Sequence, residues 1–114
     1  LDIKRGGIFP VVHGLRCLAL KHGITQRSSF ARCDALVDCG GLDAPLARDL
    51  AQALAVLQRL RLDAQLATLD AGGVPDNLLH PDTLRRLDRE LLRDALRVVK
   101  AFRQHVRIAF HLSD

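Results

Sequence analysis

Residues 43–70 read DAPLARDLAQALAVLQRLRLDAQLATLD, and residues 81–110 read PDTLRRLDRELLRDALRVVKAFRQHVRIAF, with AGGVPDNLLH between them. These two stretches decide the fold. Asp43 is a helix-capping residue and Pro45 suits a first turn, where a missing N–H costs nothing. From there Leu46, Leu50, Ala53, Leu57, Leu60, Ala64 and Ala67 recur at helical spacing, and Leu54, Leu62, Leu66 and Leu69 widen the stripe. The spacing predicts one helix to about Leu69, about 40 Å long at 1.5 Å per residue. A helix apolar over this much of its girth is expected to have neighbours on more than one side.

The second stretch behaves in the same way. Pro81 and Asp82 are expected to open a helix reaching about Phe110. Leu84, Leu87, Leu91, Ala95, Val98, Phe102 and Ala109 make its main stripe, and Leu92, Leu96, Val99, Val106 and Phe110 a second. The intervening two glycines, proline and Asp-Asn pair read as a turn. Two helices of similar length joined by a short loop form an antiparallel hairpin.

Working outward, residues 8–22 fit a further helix, with Pro10 in its first turn, Val11, Leu15, Leu18 and His22 on one face, Val12 and Ala19 beside them, and Gly23 as its stop. Ser28 or Ser29 can cap a shorter helix to about Asp38, closed by Gly40-Gly41. Residues 1–7, LDIKRGG, read as a linker or strand remnant ending in a flexible Gly6-Gly7 turn able to approach a ligand closely. The expected fold is all-α: a single domain over residues 1–114, a bundle of about four helices, two long and antiparallel and two shorter.

Composition agrees. The chain has 114 residues, enough for one core, with 48% hydrophobic and only 4% aromatic residues, which disfavours an all-β fold. No run of apolar residues is long enough to span a membrane. There is no Met, and the sequence begins Leu1-Asp2-Ile3-Lys4, as expected of a piece of a longer protein. Net charge is +4, with the basic excess in residues 1–42 and 80–114 and a slight acidic excess between. Three cysteines, Cys17, Cys33 and Cys39, are an odd and sparse set. That fits free thiols and a cytoplasmic location.

Catalytic and metal chemistry are thinly represented. His13 and Cys17 stand i, i+4, but two ligands do not make a zinc site and no third residue orients the histidine for nucleophilic work. No catalytic residue and no metal ligand is assigned. Arg89, Arg93, Arg97, Lys100, Arg103 and Arg107 follow in steps of three and four. Asp88, Glu90 and Asp94 interrupt this stripe and no aromatics accompany it for base stacking. It therefore reads as a solvated face, and nucleic acid is not the expected partner. Arg61 and Gln65 are more informative. They sit i, i+4 within a leucine-rich turn, where polar groups must find partners, either in a structural network or on the polar wall of a pocket.

The opening Asp2-Ile3-Lys4-Arg5-Gly6-Gly7-Ile8-Phe9-Pro10-Val11-Val12, followed by Arg16-x-Leu18-Ala19-Leu20, resembles the nucleotidyltransferase substrate-binding domain that forms the C-terminal part of the DUF294 family. The resemblance continues through Leu60-Arg61-Leu62-x-x-Gln65-Leu66, Pro75-Asp76-Asn77 and the leucine pattern of residues 84–99. The opening is also similar to a block in bacterial PII uridylyltransferases and glutamine-synthetase adenylyltransferases. Those proteins carry an Arg-acid pair where Phe9-Pro10 stands here, and Ser28-Ser29 stands where Asn-Thr would be expected.

The resemblance implies a nucleotidyltransferase catalytic domain upstream in the same polypeptide, carrying a Gly-Ser motif and paired aspartates. It also implies Mg²⁺ and a nucleoside triphosphate as that protein's cofactors, with none held by this segment. Cyclic-nucleotide-binding and CBS domains are often found in such signalling proteins. On this reading Lys4, Gly7 and Arg16 lie near the interdomain cleft, and Arg61 and Gln65 line the acceptor side; a protein acceptor and a homodimer are both compatible with it. Two other functions fit the residues alone: an interaction module that docks a partner through its apolar stripes, and an RNA-binding bundle using the stripe on the fourth helix.

Overall fold

The computed structural model describes residues 1–111. It is all-α, with four helices: α1 (Phe9–Lys21), α2 (Ser29–Asp38), α3 (Ala44–Asp70) and α4 (Arg86–Ala109). The molecule measures 46 × 25 × 24 Å, its long axis matching the length expected for α3. The hairpin of α3 and α4 is the most extensive helix–helix contact, and α1 packs on α2 and on α4. No described helix is long and apolar enough to cross a membrane.

The capping residues read in the sequence act as expected. The Asp43 carboxylate accepts the Leu46 N–H at 2.9 Å, and the Ser28 hydroxyl accepts the Ala31 N–H at 3.0 Å. Gly23, Gly40 and Gly72 take positive φ after α1, α2 and α3. The core gathers Val11, Leu15 and Leu18 of α1, Leu36 of α2, Leu50, Leu54 and Leu57 of α3, and Leu92, Val99 and Phe102 of α4. Each fully buried side chain of this kind contributes about 1.5–3 kcal/mol.

The first seven residues are not a loose linker ending in a glycine turn. The chain is helical from Ile3, and Lys4–Ile8 form a π-helical turn running without a break into α1. Asp2 starts it, its carboxylate accepting the N–H groups of Lys4 and Arg5 at 3.1 and 3.0 Å. Pro10 explains the wide turn. It is not the opening residue of a helix but lies inside one, lacking an N–H and crowding the carbonyl four residues back. The Phe9 N–H instead reaches the Lys4 carbonyl, five residues back. A trace of the expected strand survives as a single antiparallel bridge between Asp2 and Leu78.

Four further expectations change. Pro81–Thr83 form a 3-10 turn, and α4 begins only at Arg86 because Leu84 and Arg85 are extended. On α4 the buried face draws on both stripes: Leu92 and Val99 of the second and Ala95 and Phe102 of the main one face the core, while Leu87 and Leu91 of the main one are exposed. On α3 the stripe is buried only as far as Leu60. Beyond it Leu62, Leu66 and Leu69 are 54%, 49% and 55% exposed, because neither α1 nor α2 extends to that end of the hairpin. His22, expected on the buried face of α1, is also exposed.

Candidate functional site

Leu57, Arg61 and Gln65 follow at steps of four on α3 and so share a face. That face meets the N-terminal turn and the loop before α4. A Cβ at Gly7 would lie 3.2 Å from Leu57, so the absence of a side chain lets the π-turn press onto α3. One turn further on comes Arg61. A further turn on, Gln65 donates from Nε2 to the Asp76 carbonyl at 3.2 Å. The loop is in turn tied to the N-terminal segment. The Ile3 N–H donates to the Asn77 carbonyl at 2.9 Å, and the Leu79 N–H to the Leu1 carbonyl at 2.7 Å. The three blocks singled out in the sequence, Asp2–Gly7, Arg61–Gln65 and Pro75–Asn77, thus form one seam.

The seam is not fully satisfied. Arg61 Nε and Asn77 Oδ1 are buried, and neither has a hydrogen-bond partner among the described residues. A buried polar atom left unpaired costs about 1–3 kcal/mol, so such atoms are few in folded proteins.

Of the five site residues read from sequence, Lys4, Gly7, Arg61 and Gln65 gather around this seam. Lys4 is exposed at its rim, while Gly7 is buried and packs against Leu57 rather than lying open to a ligand. The ligand-approaching glycine turn does not form. Arg16 is not brought in. It is exposed on α1, twelve residues beyond Lys4 along a continuous helix, or about 18 Å.

The two ends of the hairpin differ in charge. Beside the α3–α4 loop, a cleft of about 400 Å³ is lined by Asp63, Asp76, His80 and Asp88. Arg59 spans its edge, bonding Asp88 at 2.9 Å and Asp63 at 3.2 Å. The Asp88 hydrogen bond, with Asp63 nearby, raises the Arg59 pKa above its usual value. Among the described residues no three His, Cys, Asp or Glu side chains converge as a metal site.

At the other end, α4 and the N-terminal turn enclose a cleft of about 840 Å³, lined by Arg97, Lys100, Arg103 and Arg107 together with Gly6. These cations read as a solvated face in the sequence. The missed signal was on a different element: Arg5, Phe9 and His13, also at steps of four, face the same groove.

A family model described as "Putative nucleotidyltransferase substrate binding domain", the DUF294 C-terminal domain, matches residues 1–110. The chain belongs to this family. The match spans all four helices and the seam between them, so the expectation drawn from the opening, Leu-Arg-Leu and Pro-Asp-Asn blocks holds for the family and for the helical fold. No curated protein matches the chain, and no solved structure does.

Proposed function

We propose that this domain holds the acceptor substrate for a nucleotidyltransferase of the PII uridylyltransferase type, whose catalytic domain lies upstream in the same polypeptide and carries the Mg²⁺ and nucleoside triphosphate. The observation that carries this reading is the unpartnered, buried Arg61 Nε in the seam between α3, the N-terminal turn and the Asp76-Asn77 loop. A protein retains an unsatisfied buried donor where binding uses it, because substituting it for stability alone would remove a cost. Arg61 and Gln65 would orient the acceptor, and Lys4 at the rim would meet its anionic part or the nucleotide phosphates as the two domains close. The domain's contribution to rate is positional: holding acceptor and donor in register removes entropy from the barrier without supplying a reacting group.

The test is turnover by the full-length protein with Mg²⁺, labelled nucleoside triphosphates and candidate acceptors, PII included. Arg61→Ala and Lys4→Ala are expected to depress transfer while leaving the fold intact by circular dichroism. Unchanged transfer in both overturns the assignment.

A second reading has its own observation. Leu62, Leu66 and Leu69 form an exposed apolar row at steps of four and three on α3. Such a row suits a docking face for a partner or a second copy of the chain. It predicts that Leu66→Asp abolishes an association visible in sedimentation and that Arg61→Ala does not.

A further inference from the structure

The cations of α4 stand at steps of three, Arg97, Lys100 and Arg103, and the one aromatic residue between them in sequence, Phe102, is turned into the core. The fold supplies what their own helix lacks. Arg5, Phe9 and His13 lie along one face of the N-terminal turn and α1, and that face packs opposite α4. With Arg103 and Val106 they line a cleft of about 380 Å³. This cleft adjoins the larger cationic one, since Arg103 belongs to both. The Phe9 and His13 rings are stacked, their centroids 5.1 Å apart and their planes within 9°. Phe9 is 53% exposed, and so offers aromatic surface to the groove.

The groove is therefore two-part. One end is aromatic and aliphatic; the other is cationic. Among the described residues no Asp or Glu lines either part. Asp2 lies 3.9 Å from Arg5, and Asp94 lies 3.4 Å from Arg97. Lys100 and Arg103 have no ion-pair partner among the described residues. Each of the two clefts is by itself within the range of roughly 300–1,000 Å³ typical of small-molecule sites. Exposed aromatic faces stack on bases without regard to sequence, and arginine and lysine side chains hold phosphates by charge-assisted hydrogen bonds.

We propose that the groove between α1 and α4 binds a nucleoside polyphosphate, with its base on the Phe9–His13 stack and its phosphates against Lys100 and Arg103. The site is separate from the acceptor seam: Gly7 and Arg61 lie toward α3, whereas Arg5, Phe9 and His13 face α4. The proposal therefore goes beyond the acceptor reading and stands without it.

The experiment is calorimetric titration of the chain, at about 0.1 M salt, with adenosine and uridine triphosphates, inorganic tripolyphosphate, the free nucleosides and a single-stranded oligonucleotide. The triphosphates are expected to bind more tightly than tripolyphosphate or nucleoside. The double variant Lys100→Ala/Arg103→Ala is expected to lose about tenfold or more in affinity for both phosphate ligands. Phe9→Ala is expected to weaken the nucleoside triphosphates about threefold to tenfold and leave tripolyphosphate unchanged. All three positions are exposed, and circular dichroism confirms that the variants fold.

The proposal is overturned by any of three results. The first is undiminished nucleotide binding in the double variant. The second is tripolyphosphate binding as tight as the nucleotides with no effect of Phe9→Ala. The third is an oligonucleotide binding far more tightly than any mononucleotide, which assigns the groove to RNA. Nucleotide binding is read on the chain directly, so its failure is distinguishable from failure of the acceptor reading, which is read as turnover in Arg61 variants.

Discussion

Gly14 of α1 lies directly against the ring of Phe102 of α4: a Cβ at position 14 would fall 2.5 Å from Phe102 Cε2 and 3.0 Å from Cζ. Phe102 is completely buried, and Gly14 is the gap in α1 that receives it. This contact sets how closely α1 crosses the hairpin, and with it the width of the groove that carries Phe9 and His13 on one side and Arg103 on the other.

Gly14→Ala is therefore expected to destabilise the domain by about 1–3 kcal/mol, because a rigid ring cannot yield as the end of a flexible chain can. Phe102→Leu should cost stability alone but less in the Gly14→Ala background. The coupling between two touching residues is about 0.5–3 kcal/mol. Urea unfolding of the four members of the cycle measures both; strict additivity would show that α1 and α4 do not meet through this pair.

Arg61→Met is expected to leave stability unchanged or raise it by up to about 1 kcal/mol, since it removes a buried donor with no partner while keeping the aliphatic stem. Chemical denaturation measures this. A loss above about 2 kcal/mol would mean that Arg61 is held by bonds within the fold and is structural.

Cys33 gives a pH signature. Burial, reinforced by the neighbouring Asp34 charge, raises its thiol pKa from the usual 9.0 to about 11. The folded state thus keeps its proton at pH values where the unfolded chain has lost it. The native state then binds more protons, so stability falls as pH rises. The contribution is fully present below about pH 9 and is lost between about 9 and 11. Thermal unfolding across this range should show the decline, and Cys33→Ala should flatten it. At neutral pH the exposed Cys39 should react with an alkylating reagent well before the buried Cys33.

Asp43→Ala is expected to cost about 0.5–2 kcal/mol by removing the cap on α3, with Asp43→Asn or Asp43→Ser retaining most of it. Denaturation midpoints of the three variants test this. An equal loss in all three would assign the effect to charge rather than to the hydrogen bond.

The long helices were legible because their information is local. Asp43, Pro45 and the leucine spacing act within one helix, and so do Ser28 and the glycines after each helix. The N-terminal turn was misread because Pro10 has two local meanings, a helix opener or a residue inside a wide turn. Only the contacts of Asp2, Gly7 and Leu78 with other elements select the second. On α4 the sequence offered a main and a second apolar stripe, and the burial of Leu92, Ala95, Val99 and Phe102, drawn from both, with Leu87 and Leu91 left exposed, depended on where α1 and α3 lie. The seam was partly legible, since Lys4, Arg61, Gln65 and the Pro-Asp-Asn block were all singled out. The hydrogen bonds that close the seam, Gln65 to Asp76 and Ile3 to Asn77, were not, because no periodicity links residues 11 and 74 positions apart.

The sequence by itself determined an all-α domain with a long antiparallel hairpin, its caps, and its family, since helix periodicity, capping chemistry and short motifs are properties of neighbouring residues. Only the tertiary structure decided which apolar faces are buried, left Arg61 Nε without a partner, and placed the Phe9–His13 stack opposite Lys100 and Arg103. The reason is physical: burial and binding sites arise where separate elements meet. Here that meeting is governed by side-chain volume at a few close crossings, Gly14 against Phe102 and Gly7 against Leu57 among them.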